Sequence, residues 1–173
     1  MVTYRRARVP GATYFFTVTL RDRRRDLLTC HVDLLRVVTR DIRRHRPFTI
    51  DAIVVLPEHL HALWTLPPDD ADFSGRWRAI KSGFTRGIAH RGFPLVRDRR
   101  GEYDLWQRRF WEHLVRDDDD FARHVAYIHH NPVKHGLAVD SFDWPWSSIH
   151  AYARRGAVGH DWSGGDQRGR FGD

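Results

Sequence analysis

Along this 173-residue chain, apolar and polar positions alternate with period two in four places and recur with helical spacing in three. Residues 13–20 alternate aromatic and β-branched side chains with threonines, as a strand does. Residues 48–56 and 59–66 are two further strands, separated by the break at Pro57-Glu58 and placed to pair antiparallel. Residues 107–115 supply a fourth. Helical spacing appears over 32–46, where Leu34, Leu35, Val37, Val38 and Ile42 form a stripe that ends before Pro47. It returns over 73–89 with Trp77, Ile80, Phe84 and Ile88, in a helix weakened by Gly83 and Gly87. In a third helix Phe121, Val125 and Ile128 fall at i, i+4 and i+7 and form the core stripe. The acidic run 117–120 caps that helix at its positive end, Pro132 stops it, and the chain turns at Gly136. A short helix then runs to Arg155.

The order β-α-β-β-α-β followed by a helix is the split-βαβ, ferredoxin-like arrangement. It predicts an α+β fold: an antiparallel sheet with helices on one face, plus a C-terminal helix that carries Tyr127. Residues 1–155 are expected to form one domain and the glycine-rich stretch 156–173 a flexible tail.

Two places in this pattern carry chemistry. In the run from Ile53 to Trp64, His59 and His61 share one face of a strand while Leu60, Ala62 and Trp64 take the other. Each imidazole has a donor and an acceptor to satisfy, so two side by side are half of a divalent metal site rather than ordinary packing. In the third helix, at about 100° per residue, Tyr127 and Asn131 lie one turn apart on one flank of the core stripe. His124 lies between them and the core, His129 falls on the other flank, and His130 points away. Tyr127 and Asn131 can therefore face one reaction centre. The plain alternative for Tyr127 is an amphipathic tyrosine with a wet tip.

Charge narrows the partner. The net charge is +7 and the isoelectric point near 10.3; of 29 basic residues only Lys81 and Lys134 are lysines. Guanidinium forks pair bidentately with phosphate and stack on bases, which favours nucleic acid. Arg23, Arg24, Arg25, Arg43, Arg44, Arg97, Arg99 and Arg100 are candidates for phosphate contact. Trp64, Trp77, Trp106 and Trp111 can stack on bases, although tryptophan is more often core. A single cysteine, Cys30, excludes an internal disulfide and fits a reducing cytoplasm. No apolar run reaches the length of a membrane span.

Together these blocks resemble the REP-associated tyrosine transposases, within the single-strand DNA transposases and His-hydrophobic-His endonucleases. The resemblance runs through Tyr4-Arg5-Arg6, Pro10-Gly11-Ala12-Thr13-Tyr14-Phe15-Phe16-Thr17-Val18 and Leu56-Pro57-Glu58-His59-Leu60-His61. It continues through Ile80-Lys81-Ser82-Gly83-Phe84-Thr85 and Leu105-Trp106-Gln107-Arg108-Arg109-Phe110-Trp111-Glu112-His113. It closes on Tyr127-Ile128-His129-His130-Asn131-Pro132-Val133-Lys134-His135-Gly136-Leu137, the most specific block. It implies a ferredoxin-like core, Tyr127 as nucleophile, and His59 and His61 as ligands of a divalent metal, Mg2+ or Mn2+. Insertion-sequence relatives carry a glutamine as third ligand; here Asn131 holds the matching place, with His124 or His130 as substitutes. Lys81 and Lys134 resemble positions near DNA or the site. The implied partner is single-stranded or hairpin DNA from repetitive extragenic palindromes, met in the cytoplasm at the nucleoid. No membrane and no small-molecule substrate are implied, and a monomer is favoured over a homodimer. The competing readings are a hairpin-binding relative that no longer cuts, a nuclease that uses water, and a ferredoxin-like RNA binder.

Overall fold

The computed structural model describes residues 8–159 and 161–164. Alternation along the first strand, β1 (Thr13–Thr19), sorts its side chains into two cores. Tyr14, Phe16 and Val18 join Leu60, Ala62 and Trp64 in one cluster, while Phe15 joins Ala52, Val54, Leu56 and Leu63 in another. The chain continues through α1 (Leu27–Cys30), α2 (Val32–His45), β2 (Thr49–Val55), β3 (His59–Thr65), α3 (Phe73–His90), β4 (Trp111–Leu114) and α4 (Asp118–Lys134). A 3-10 turn at Ser141–Asp143 and α5 (Ile149–Arg154) follow.

The four strands pair antiparallel in the order β2-β3-β1-β4, the expected ferredoxin-like topology. Residues of α2 and α3 cover one face of this sheet, with Phe73, Trp77, Ile80, Phe84 and Ile88 against the aromatic side of β1 and β3. Trp64 and Trp77 stack at 4.0 Å within that core, so neither is offered to a base. Each such side chain contributes roughly 1.5–3 kcal/mol by leaving water. The glycines of α3 have a packing purpose: a Cβ on Gly83 would lie 2.7 Å from Val38, and one on Gly87 2.6 Å from Leu34. They let α2 and α3 approach closely, which outweighs the helix propensity they forfeit.

On the opposite face lies α4, packed against β2 and β3. Three expectations change here. Pro132 does not stop the helix, which runs to Lys134. A proline this near the end forgoes one backbone bond while its ring already has helical φ. The turn at Gly136 (φ +68°) closes the end, with the amides of His135 and Leu137 donating to the carbonyls of Asn131 and Pro132. The buried face also differs: Phe121 and Val125 are only partly buried, whereas His124, Tyr127, Ile128, His129 and Asn131 are buried. The fourth strand is shorter than its apolar pattern, because Leu105, Trp106 and Phe110 pack into the helix-covered core before the ladder begins.

Both sheet edges are closed or short. At the β2 edge, Ser147 bridges Val54, the Val55 amide donates to the Trp146 carbonyl at 2.9 Å, and the Ser148 amide donates to Ile53 at 2.8 Å. At the other edge β4 has four residues. The 156–173 stretch lies largely outside the described residues; where it is described, Trp162 meets His129 at 6.0 Å.

Candidate active site

Register places the histidine pair at one end of β3. His59 pairs with Thr19 and His61 with Thr17 of β1, and both imidazoles face α4. Their ring centroids are 4.9 Å apart, and exposure is 2% for His59 and 0% for His61. Each ring is oriented through Nδ1: that of His59 meets the Glu58 carboxylate at 2.9 Å, and that of His61 meets Thr17 Oγ1 at 2.9 Å. Burial pushes the Glu58 carboxyl up, but its hydrogen bond and electrostatic interaction with His59 outweigh this and hold it at about 2. Arg23 reaches the same carboxylate at 3.4 Å. A carboxylate or hydroxyl on Nδ1 turns Nε2 toward a metal and makes it more basic.

The ridge Tyr127–Asn131–His135, spaced i, i+4, i+8 along and just past α4, lies over this pair. Tyr127 is 2% exposed, and its ring centroid stands 5.2 Å from that of His61 and 6.0 Å from that of Phe15. One step down the ridge, Asn131 is fully buried; at the far end His135 meets His59 at 5.1 Å. Lys134 donates to the Tyr127 hydroxyl at 3.1 Å and sits 4.8 Å from the ring centroid. His59 and His61 on β3 and Tyr127 and Asn131 on α4, the four residues singled out in the sequence, thus lie on facing elements.

These donors fit a divalent cation. The Nε2 of His59 and both ends of the Asn131 amide are buried without a hydrogen-bond partner among the described residues. Burying such groups uncompensated costs roughly 1–3 kcal/mol each, so their retention points to a ligand. Two imidazole nitrogens and one amide oxygen suit a hard or borderline divalent ion. The proposed substitutes stand elsewhere. His124 stacks on His113 at 4.8 Å over the β4 side of the sheet, with Phe15 between it and the β3 pair. His130 lines a cavity with Val133, Val139 and Ser141.

His113, Asp120 and His124 bring ligand atoms within 4.8 Å of one another. Arg116 and Arg123 crowd the same carboxylate, at 3.4 and 3.5 Å, which makes this an ion-pair hub. Burial pushes the Asp120 carboxyl up, yet His113 at 2.8 Å, the Arg116 amide and the charge of His124 hold it at about 2. Asp117 caps the same helix end, accepting from the Asp120 amide at 2.7 Å, as the acidic run predicts. The hub ties the start of α4 to β4 through His113 and Asp120.

The basic candidates divide among four places. Arg24 and Arg25 line a cleft with Leu95, Val96 and Leu105, beside the loop that carries Arg97, Arg99 and Arg100. Within that loop Arg97 stacks on Tyr103 at 4.1 Å. Arg43 and Arg44 lie on α2, the former donating to the Phe48 carbonyl at 3.0 Å and the latter 3.6 Å from Asp41. Lys81 donates to the Gln107 carbonyl at 2.9 Å and lies over the rings of Trp106 and Phe110, while Lys134 is engaged at Tyr127.

Sequence reading passed over Glu58, Thr17 and His135. Glu58 carried a signal in its place beside His59, and Thr17 becomes visible once β1 and β3 are paired. His135 needed the corrected length of α4, since it sits just past a helix expected to end at Pro132.

Comparison with known proteins adds to this geometry. No family model matches the chain. A protein of Escherichia coli (strain K12) described as a REP-associated tyrosine transposase is 47% identical over 164 residues, 95% of this chain and 92% of that protein. The solved structure of a REP-associated tyrosine transposase bound to a REP hairpin is similar at a TM-score of 0.87 and 45% identity, covering 99% of this chain and 96% of that one.

Proposed function

The chain belongs to the REP-associated tyrosine transposases, a family of enzymes, and on that footing we propose that it cuts and rejoins single-stranded DNA beside a REP-type hairpin through a covalent link at Tyr127. The observation that carries this reading is the buried Tyr127 ring 5.2 Å from His61, with the unmatched polar atoms of His59 and Asn131 on the same side. A divalent cation, Mg2+ or Mn2+, held by His59, His61 and Asn131 would polarise a phosphodiester oxygen and offset charge at phosphorus. Glu58, an acceptor only, keeps Nδ1 of His59 protonated and leaves its Nε2 for ligation, while Thr17 orients the His61 ring.

Tyr127 Oη attacks phosphorus; the new O–P bond forms as the P–O3′ bond breaks. The phenolic proton passes to solvent and the departing 3′ oxygen takes one back. The phosphotyrosine keeps the bond energy, so a second 3′ hydroxyl can reverse the step and join a new strand without a nucleotide cofactor. Arg24 and Arg25 line one cleft suited to the phosphates, beside the loop bearing Arg97, Arg99 and Arg100. The catalytic unit is residues 1–155.

Incubating the protein with a labelled hairpin strand and Mn2+ should yield a denaturation-resistant adduct that maps to Tyr127. Tyr127→Phe should lose the adduct and still bind the hairpin. A variant that cuts at the normal rate, with no adduct in the parent protein, would make water the nucleophile and end this reading.

A further inference from the structure

The site contains a cation that the metal chemistry does not use. Lys134 lies almost two turns after Tyr127, on the same side of α4. Its Nζ donates to the Tyr127 hydroxyl at 3.1 Å and also stands 4.8 Å from the centre of that ring. Two contacts from one ammonium fix both where the phenolic oxygen lies and how the ring is turned. A hydrogen bond alone would leave the ring free to pivot about its oxygen.

We propose that Lys134 is a catalytic residue: it holds the Tyr127 oxygen in its attacking position and balances the negative charge that oxygen bears at both ends of the reaction. The inference rests on Tyr127 being the nucleophile. In cleavage, the Tyr127 O–P bond forms while P–O3′ breaks, and the ammonium steadies the entering oxygen. In rejoining, the 3′ oxygen attacks, the Tyr127 O–P bond breaks, and the same ammonium meets the oxygen as it leaves. Lys134 transfers no proton in either step; the protons of the phenol and the 3′ hydroxyl exchange with solvent. A fixed charge at the atom where charge develops is effective because it needs no reorganisation during the step. His61 faces the same ring from β3, and Phe15 from β1 supplies an apolar wall.

The test compares Lys134→Met and Lys134→Arg with the parent protein at one pH and saturating hairpin DNA. Lys134→Met keeps a stem of similar length over the ring but removes the charge. Adduct formation should slow by about 100-fold, the usual loss when one charge-stabilising donor is removed. Rejoining, started by adding a 3′-hydroxyl strand to isolated adduct, should slow by a similar factor. Hairpin affinity, measured without divalent metal, should stay within about twofold, and Lys134→Arg should recover most of both rates. A purely structural lysine would not produce equal losses in the two directions with affinity intact. Were Lys134 only a phosphate contact, affinity and its salt slope would fall while both saturated rates held, and the proposal would be overturned. Equal adduct rates in Lys134→Met and the parent protein would overturn it as well, leaving Tyr127 as nucleophile. Absence of any adduct from the parent protein would remove the reading beneath it.

Discussion

Replacing Asp120 by asparagine tests whether the ion-pair hub holds the tyrosine helix in place. The carboxylate is 3% exposed and is faced by His113 from β4, by Arg116 from the connecting turn, and by Arg123 and His124 from α4 itself. Its folded pKa of about 2 lies below the ordinary 3.8. At 1.36 kcal/mol per unit, that depression corresponds to about 2 kcal/mol of stability. The sign follows from the direction of the shift. A lowered carboxyl pKa stabilises the fold above about pH 4, and the contribution disappears as pH falls from there toward 2. Asparagine keeps an oxygen for the Arg116 amide but loses the charge, so a loss of about 2 kcal/mol is expected at pH 7. For a domain of this size that is a fall of roughly 4–8 °C in Tm. Urea titrations of both proteins at pH 7 and pH 2.5 measure it directly. The gap between them should narrow at the acid end, since at pH 2.5 the unfolded carboxyl is protonated and most of the linkage contribution is gone. A gap unchanged between the two pH values, or one under about 0.5 kcal/mol at neutrality, would refute the electrostatic account of the hub.

Three other outcomes follow from particular contacts. Gly87→Ala should destabilise the fold by up to about 2 kcal/mol by thermal denaturation: pushing Leu34 aside costs roughly 1–3 kcal/mol, against a gain of about 1 kcal/mol in helix propensity. An increase in Tm would mean that α2 and α3 can separate cheaply. Glu58→Ala should weaken Mn2+ binding by about 10–100-fold in calorimetry, because His59 loses the partner that orients it; unchanged affinity would free Glu58 of that role. Hairpin affinity should fall at least about tenfold between 50 and 200 mM salt as counterions cease to be released, and a flat response would argue against arginine–phosphate contact.

The strands were legible because period two and two-sided burial leave a plain trace: Tyr14, Phe16 and Val18 part from Phe15 and Thr17 in sequence as they do in space. The histidine pair was legible for the same reason. Helix α4 was harder. An apolar stripe through Phe121, Val125 and Ile128 was the natural choice, yet the surface it covers includes two histidines, so a polar flank turned inward instead. Periodicity has no means of showing that a sheet face is itself polar. Helix α1, with four residues, is too short to leave a periodic signal. Arg76 is a similar case: at 1% exposure it is held by Asp70 and by the carbonyls of Arg46, Pro47 and Asp72, partners that only the folded chain brings together. The tie between Lys134 and Tyr127 was within reach of helical spacing, but it required a helix that continues through Pro132.

The manner in which the sheet ends bears on how copies of this chain meet. A bare strand edge is an invitation: its unpaired amides and carbonyls accept any extended segment, from a neighbour or from a misfolded copy. Here the segment around Ser147 has taken up the backbone groups of Ile53 and Val55, and the opposite edge is four residues long. A second molecule thus finds little ladder on which to extend the sheet. Growth by strand addition, the route by which antiparallel sheets become fibres or swapped dimers, is blocked at β2 and curtailed at β4.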